Sequence, residues 1–120
     1  MNAWVLDWLR VFALTLAVEA LVATPLLGRA ESRMARRLAA VLLVNLATHP
    51  LVWFLLPGLA ARHTIRVVLS EAWAFGAEWA GYLVVWPALG ARRAAVISLL
   101  ANGASFAAGV ILGDLLRSPG

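Results

Sequence analysis

Carboxylic acids stand inside apolar segments of this 120-residue chain, where a charged side chain is costly. Glu19 lies in the first apolar segment, and Glu71 and Glu78 lie in the third. A charged group at the centre of a bilayer costs about 2.5 to 3.5 kcal/mol on insertion scales, so buried acids need polar neighbours or a proton. These three side chains are therefore the first candidates for chemistry.

One face of the third segment carries a polar stripe. Glu71 and Glu78 are seven residues apart, and Tyr82 follows four residues later. On a helix, seven residues return to nearly the same face about 10 Å further along the axis. Two other interpretations remain open: Glu71 lies near the membrane surface and reaches water or pairs with Arg66, or Glu78 is a protonated acid that donates to a neighbouring helix.

Polar side chains also recur at helical spacing in the second and fourth segments. Asn45 and His49 are four residues apart with Thr48 beside them, and Asn102 and Ser105 are three apart. Residues at these spacings share one helix face. We expect these faces to point inward, either as a binding site or as polar groups that hold the helices together.

The composition predicts the fold class. Hydrophobic residues make up 63% of the chain and charged residues only 13%, which leaves too little polar surface for a soluble domain of ordinary kind. At about 20 residues per crossing, the length accommodates four membrane spans. We predict one all-α domain over residues 1–120, a polytopic four-helix bundle with an inward polar layer. Its spans are 11–27, 38–56, 67–89 and 94–112.

Three local features refine this prediction. Pro50 falls inside the second segment and predicts a kink, because proline removes a backbone hydrogen bond. The pair Pro57-Gly58 predicts the end of that segment, followed by a loop from Leu59 to Arg66. A cleaved signal peptide is an alternative for the first segment, but Glu19 disfavours it, since it interrupts what should be an uncharged core.

The charges suggest a location. All ten basic residues are arginine and the net charge is +4. Six arginines fall in the two loops on one face and four on the other, which favours both termini outside a cell inner (plasma) membrane. We interpret the basic excess as loop charge facing anionic lipid, so no nucleic-acid partner is expected. There is no cysteine, and hence no thiol chemistry.

The polar positions also resemble a pattern found in an uncharacterised family of small bacterial membrane proteins with four spans. The matching pieces are Asn45-Leu-Ala-Thr48-His49-Pro50, the series Glu71, Glu78 and Tyr82, and Asn102-Gly-Ala-Ser105 with Gly109. His49 stands where the pattern more often has asparagine. The resemblance implies a four-span fold and the same polar positions. Because that family has no assigned function, it implies no activity.

Metal chemistry is constrained by the residue types. The chain has two histidines and no His-x-x-x-His, so a zinc-dependent protease site is not expected. Glu19, Asn45, Glu71, Glu78 and Asn102 carry oxygen ligands that suit a hard cation such as magnesium, calcium or manganese. Cofactors are otherwise unknown.

Three classes of function are compatible with these residues. Buried carboxylates on several spans favour cation-linked or proton-linked transport. A chain of this size would then need a homo-oligomer or a larger membrane partner for a complete path. The first alternative is a non-catalytic membrane subunit or assembly partner. The second is an enzyme acting on a lipid or a membrane-embedded peptide, with Glu71 and Glu78 as acid and base.

Overall fold

The chain forms four helical rods. The computed structural model describes residues 2–59 and 62–116, and these residues contain helices and turns but no strand. The helices are α1 Ala3–Leu26, α2 Met34–Pro50, α3 Leu56–Leu59, α4 His63–Val85 and α5 Ala91–Leu116. A π-helical segment, Leu51–Leu55, joins α2 to α3 without a break. The predicted all-α four-helix fold is thus confirmed.

The first helix begins eight residues before the predicted span. The side chain of Asn2 accepts a hydrogen bond from the Val5 backbone N–H at 2.9 Å and caps α1. The segment ahead of Val11 is therefore helical although it is less apolar than the rest. At its other end α1 passes into a 3₁₀ turn, Leu27–Arg29.

The helix geometry changes directly after Pro50. The π-helical turn follows this residue, and proline cannot supply the N–H that a regular α-helical turn requires. Helical structure then continues to Leu59, past the pair Pro57-Gly58 that was predicted to end it. Pro57 has no backbone N–H to donate, so it removes one hydrogen bond from this continuous helix without ending it. Of the predicted loop, Ala60 and Ala61 lie outside the described residues.

The turn between α4 and α5 corrects the third predicted span. The helix ends at Val85, four residues before the predicted end at Leu89, because Trp86 leaves the helical region with φ −130° and ψ 79°. A 3₁₀ turn, Pro87–Leu89, follows. Gly90 has φ +85°, a conformation that side chains disfavour, and it lets the chain reverse into α5.

The rods pack as a ring in which α1 and α4 each contact both α2 and α5. The bundle measures 46 × 25 × 24 Å. We call the end with the turns 27–33 and 86–90 the loop end, and the end where α1 and α4 begin the terminal end. Near the loop end α2 and α4 approach closely: a Cβ atom added at Gly81 would lie 2.7 Å from Val44 Cγ1.

Apolar packing is concentrated in the half of the bundle nearest the loop end. Nine buried side chains form one cluster there: Ala23, Leu27, Val41, Val44, Tyr82, Leu89, Ala94, Ile97 and Ala101. In the other half, the first 16 residues of α1 and the first 15 of α4 include no fully buried side chain. The bundle is therefore closed at the loop end and looser at the terminal end.

The outer surface is strongly apolar. Leu21, Val84 and Leu115 are 77%, 80% and 81% exposed. Three helical stretches are long and apolar enough to cross a membrane: Ala3–Arg29, Met34–Leu55 and Ala91–Gly113. The fourth rod, α4, is not among them, and it is the rod that carries Glu71 and Glu78.

Candidate functional site

Two carboxyl groups meet inside the bundle. Glu19 on α1 and Glu78 on α4 are each 1% exposed, and their carboxyl groups are close enough to interact directly. At 1.5 Å per residue, each acid lies more than about 20 Å along its helix from the terminal end. The sequence placed Glu78 on a stripe with Glu71, but its closest acidic neighbour is on another helix.

Helix α5 supplies a hydrogen-bond donor to each acid. The Asn102 amide donates to Glu78 Oε2, and Ser105 Oγ donates to Glu19 Oε1 at 3.2 Å. Asn102 also donates to the Ser98 carbonyl at 2.8 Å, which orients the amide. Three helices therefore converge on this acid pair, as predicted for an inward polar layer.

Each acid keeps one oxygen without a donor. Glu19 Oε2, Glu78 Oε1 and the hydroxyl of Tyr82 are buried and have no hydrogen-bond partner in the described part of the chain. An ionised carboxylate can only accept hydrogen bonds. Two of them in contact need a proton or a small cation between them. The geometry of the pair thus suits the binding of a small positive charge.

A cavity leads from the terminal end to Glu19, one member of this pair. Its inner part has a volume of about 380 Å³ and reaches Glu19, Asn45, Asn102 and Ser105. Its outer part, about 560 Å³, extends to Trp4 and other residues of the terminal end. The two parts share lining residues, so they form one space. No member of the nine-residue apolar cluster lines it, so the cavity reaches Glu19 from the terminal end, and Glu78 lies behind Glu19, outside the cavity wall.

Two predicted site residues of α2 line the inner cavity but bond within their own helix. The amide of Asn45 donates to the Val41 carbonyl at 2.8 Å, and Thr48 Oγ1 donates to the Asn45 carbonyl at 3.4 Å. Both side chains are buried. Only one N–H of the Asn45 amide is used in this way, so its second N–H and its Oδ1 remain for other partners.

His49 belongs to an aromatic cluster beside the π-helical turn. Trp8 Nε1 donates to His49 Nδ1 at 3.1 Å, and the ring of Phe12 lies 5.2 Å from the imidazole. An imidazole that accepts at Nδ1 carries its proton on Nε2. His49 also lines the inner cavity, so it is both a packing residue and part of the wall.

Glu71 stands apart from the acid pair. It is half-buried and lines both parts of the cavity. It makes no ion pair with Arg66 within the described residues, whereas its half-exposed position on the cavity wall is compatible with the other alternative, that it reaches water. It is close enough to Glu19 for the two charges to interact. Among the described residues, no group of three or more acidic or histidine side chains is placed to hold a metal ion.

Sequence reasoning missed two contributors to the site. Ser98 Oγ donates to the Phe75 carbonyl at 2.8 Å and so joins α5 to α4. It stands four residues before Asn102, the spacing of a shared helix face, so the pattern itself could have revealed it. Trp53 lines both parts of the cavity. Trp53 stands in an apolar run of the sequence, so no polar spacing indicated that it would line a cavity.

A contrasting acid lies at the loop end. Glu31 accepts a hydrogen bond from the Arg33 backbone N–H at 3.2 Å and pairs with Arg36 at 3.5 Å. The backbone hydrogen bond, with Arg36 adding to it, lowers the pKa of the Glu31 carboxyl. Glu31 is thus a paired acid at the loop end, outside the cavity, and a suitable control for the buried ones.

Together these features describe an all-helical bundle with a buried carboxyl pair, one member of which, Glu19, lies at the inner end of a cavity. Comparisons of the chain with protein-family models, with curated proteins and with solved structures found no match in any of the three. The geometry of the site is therefore the basis for assigning a function.

Proposed function

We propose that this chain is a small integral membrane protein that moves protons through the pair formed by Glu19 and Glu78. The observation that carries the proposal is the contact between two buried acids, each with an oxygen that lacks a donor. A proton shared by the pair would satisfy both oxygens. Intramembrane carboxyl groups arranged in this way are typical of proton relays and ion pathways.

Immersion in a bilayer is supported by the outer surface. Large exposed apolar side chains surround the bundle, and monomeric soluble proteins rarely expose apolar patches of that extent. The length of 46 Å agrees with a bilayer of roughly 40 to 45 Å including its headgroups. In this arrangement α4 crosses the bilayer with its acids turned toward the bundle interior. The other three rods, which are more apolar than α4, shield those acids from lipid.

The asymmetry of the bundle supports alternating or gated access. The cavity provides water and protons with a route from the terminal end to Glu19, which in turn contacts Glu78, while the apolar cluster separates both acids from the loop end. If the acids were open to both ends of the bundle at once, protons would instead leak through it freely. Movement of a proton to the loop end then requires rearrangement of the bundle or association with another subunit.

Proton flux in liposomes tests the proposal. Purified protein is reconstituted with a pH-sensitive dye inside, and a potassium diffusion potential drives protons inward. Wild-type protein should acidify the interior, and Glu19→Gln or Glu78→Gln should reduce the rate at least about tenfold. Glutamine keeps the size and the acceptor oxygen that Asn102 and Ser105 contact, so folding should be retained.

The matched control is Glu31→Gln, which removes a carboxyl at the surface and should leave the rate unchanged. Equal rates for all three variants, or no flux above empty liposomes for the wild type, would overturn the proposal. Co-purification of a larger membrane protein in that second case would favour the role of a non-catalytic subunit.

A further inference from the structure

The outer cavity has the size and wall of a small-molecule site. Its volume of about 560 Å³ falls within the roughly 300 to 1,000 Å³ typical of ligand pockets. Much of its wall is aromatic or aliphatic, including Trp4, Trp53 and Phe106. The wall also carries polar groups that can orient a ligand: Asp7, His63, Arg66, Ser70 and Glu71.

Two opposite charges on α4 face this cavity without neutralising each other. Arg66 and Glu71 both line it and both are half-buried. They are five residues apart, about 7.5 Å along the helix axis. Neither forms an ion pair with any residue of 2–59 or 62–116. Asp7, which also lines the cavity, is by contrast paired with Arg10 at 3.5 Å.

Partly desolvated charges are costly unless a partner of opposite sign is present. A water-filled cavity compensates them in part, but a ligand with one positive and one negative group would compensate both. The positive group would lie deeper, beside Glu71, and the negative group nearer the terminal end, beside Arg66. The deeply buried Glu19, which lines the continuous inner part and keeps Oε2 without a donor, adds to the preference for a positive inner group.

The aromatic wall indicates which kind of positive group the ligand would carry. The rings of Trp4 and Trp53 lie 6.0 Å apart and perpendicular to each other, so they form two sides of an aromatic corner. Organic ammonium groups bind favourably over such rings, and tryptophan is the best of the aromatic side chains in this role. An inorganic cation would gain less from an apolar wall of this kind.

We infer that the outer cavity binds a zwitterion, with an organic ammonium group toward Glu71 and a carboxylate or phosphate toward Arg66. Such a ligand comes either from a phospholipid headgroup or from a free zwitterionic metabolite, and both share this chemistry. The inference deepens the proposed function. Binding of the zwitterion does not depend on that function, but one step rests on it: proton binding at Glu19 and Glu78 is coupled to movement of the bound zwitterion.

Binding is measured by calorimetry on the purified protein in a maltoside detergent, which carries no charge. The probes are phosphocholine, choline as the positive half alone, and inorganic phosphate as the negative half alone. Phosphocholine should bind at least about tenfold more tightly than either half. Glu71→Gln should weaken phosphocholine and choline about tenfold, and Arg66→Gln should weaken phosphocholine and phosphate.

Matched controls are Glu31→Gln and Arg62→Gln, which remove charges that do not line the cavity and should change nothing. Native mass spectrometry separates the two sources. Retention of phosphatidylethanolamine over phosphatidylglycerol, lost in Glu71→Gln, identifies a lipid headgroup. Phosphocholine binding without retained lipid identifies a free zwitterion.

Two results would overturn the inference: neither phosphocholine nor lipid binds, or choline alone binds as tightly as phosphocholine and Arg66→Gln has no effect. Because binding is measured without a membrane gradient, it does not depend on flux. Intact binding with no proton flux would reject the proposed function alone, and normal flux without binding would reject this inference alone.

Discussion

The contact between Gly81 and Val44 permits a quantitative test of the packing that closes the bundle behind the acid pair. Gly81 lies three residues beyond Glu78, and a Cβ atom at Gly81 would lie 2.7 Å from Val44 Cγ1. That is 0.7 Å short of 3.4 Å, the lower limit of ordinary contact. Val44 is 8% exposed in the core and has little room to move. Gly81→Ala should therefore strain the packing of α2 against α4.

Gly76→Ala on the same helix is the matched variant, because a Cβ atom there meets nothing within 4 Å. In a helix interior the change from glycine to alanine stabilises by about 1 kcal/mol, and this gain is common to both variants. Overpacking costs about 1 to 3 kcal/mol and applies to Gly81→Ala alone. The free energy of unfolding should thus differ between the two variants by about 1 to 3 kcal/mol.

Reversible unfolding in mixed micelles, followed by circular dichroism during a titration with dodecyl sulfate, measures this difference. Adding Val44→Ala to Gly81→Ala removes the clash, so the two changes should be non-additive, with a favourable coupling of about 1 to 3 kcal/mol. If Gly81→Ala and Gly76→Ala were equally stable, α2 and α4 would not approach as closely as described. Their packing could then not explain why the bundle is closed on the loop-end side of the acids.

Two further changes test buried polar atoms by the same unfolding assay. Tyr82→Phe removes a buried hydroxyl that has no partner among the described residues, so stability should stay equal or rise by about 1 kcal/mol; a loss of that size would reveal a partner. Arg37 Nη1 donates to the Thr24 carbonyl at 2.7 Å near the end of α1, so Arg37→Met should cost about 1 to 2 kcal/mol. Arg36→Met removes an equal charge from the same region but breaks only the pair with Glu31, so it should cost less than about 1 kcal/mol. Equal losses of stability in the two variants would show that the hydrogen bond from Arg37 to Thr24 does not stabilise the end of α1.

Much of the architecture could be predicted because it depends on local and compositional properties. Apolar segments of spanning length specified four rods, and helical spacing identified which faces carry polar groups. The predicted boundaries differed from the structure at the start of α1 and at the end of α4. Asn2 extends α1 toward the N-terminus by capping it, and Trp86 ends α4 early by adopting a non-helical conformation. Such ends depend on single dihedral angles and side-chain contacts that periodicity does not report.

The candidate site was predicted as a set of residues but not as a set of contacts. Asn102 and Ser105 were expected to face inward, and each donates to an acid on a different helix. The expected association of Glu78 with Glu71 was incomplete, because the neighbour of Glu78 across the bundle is Glu19. Two residues on one helix keep a separation set by its rise, whereas a contact between helices depends on how each rod is rotated.

The sequence by itself determined that the chain is helical, that its exterior is apolar and that acids and amides must be buried together, since these follow from composition and the 3.6-residue period. The tertiary structure decided which acids meet, which oxygens lack donors and from which end the cavity leads to them. Those features depend on the rotation and tilt of rods distant in sequence, and the close approach at Gly81 and Val44 is one of the contacts that set them.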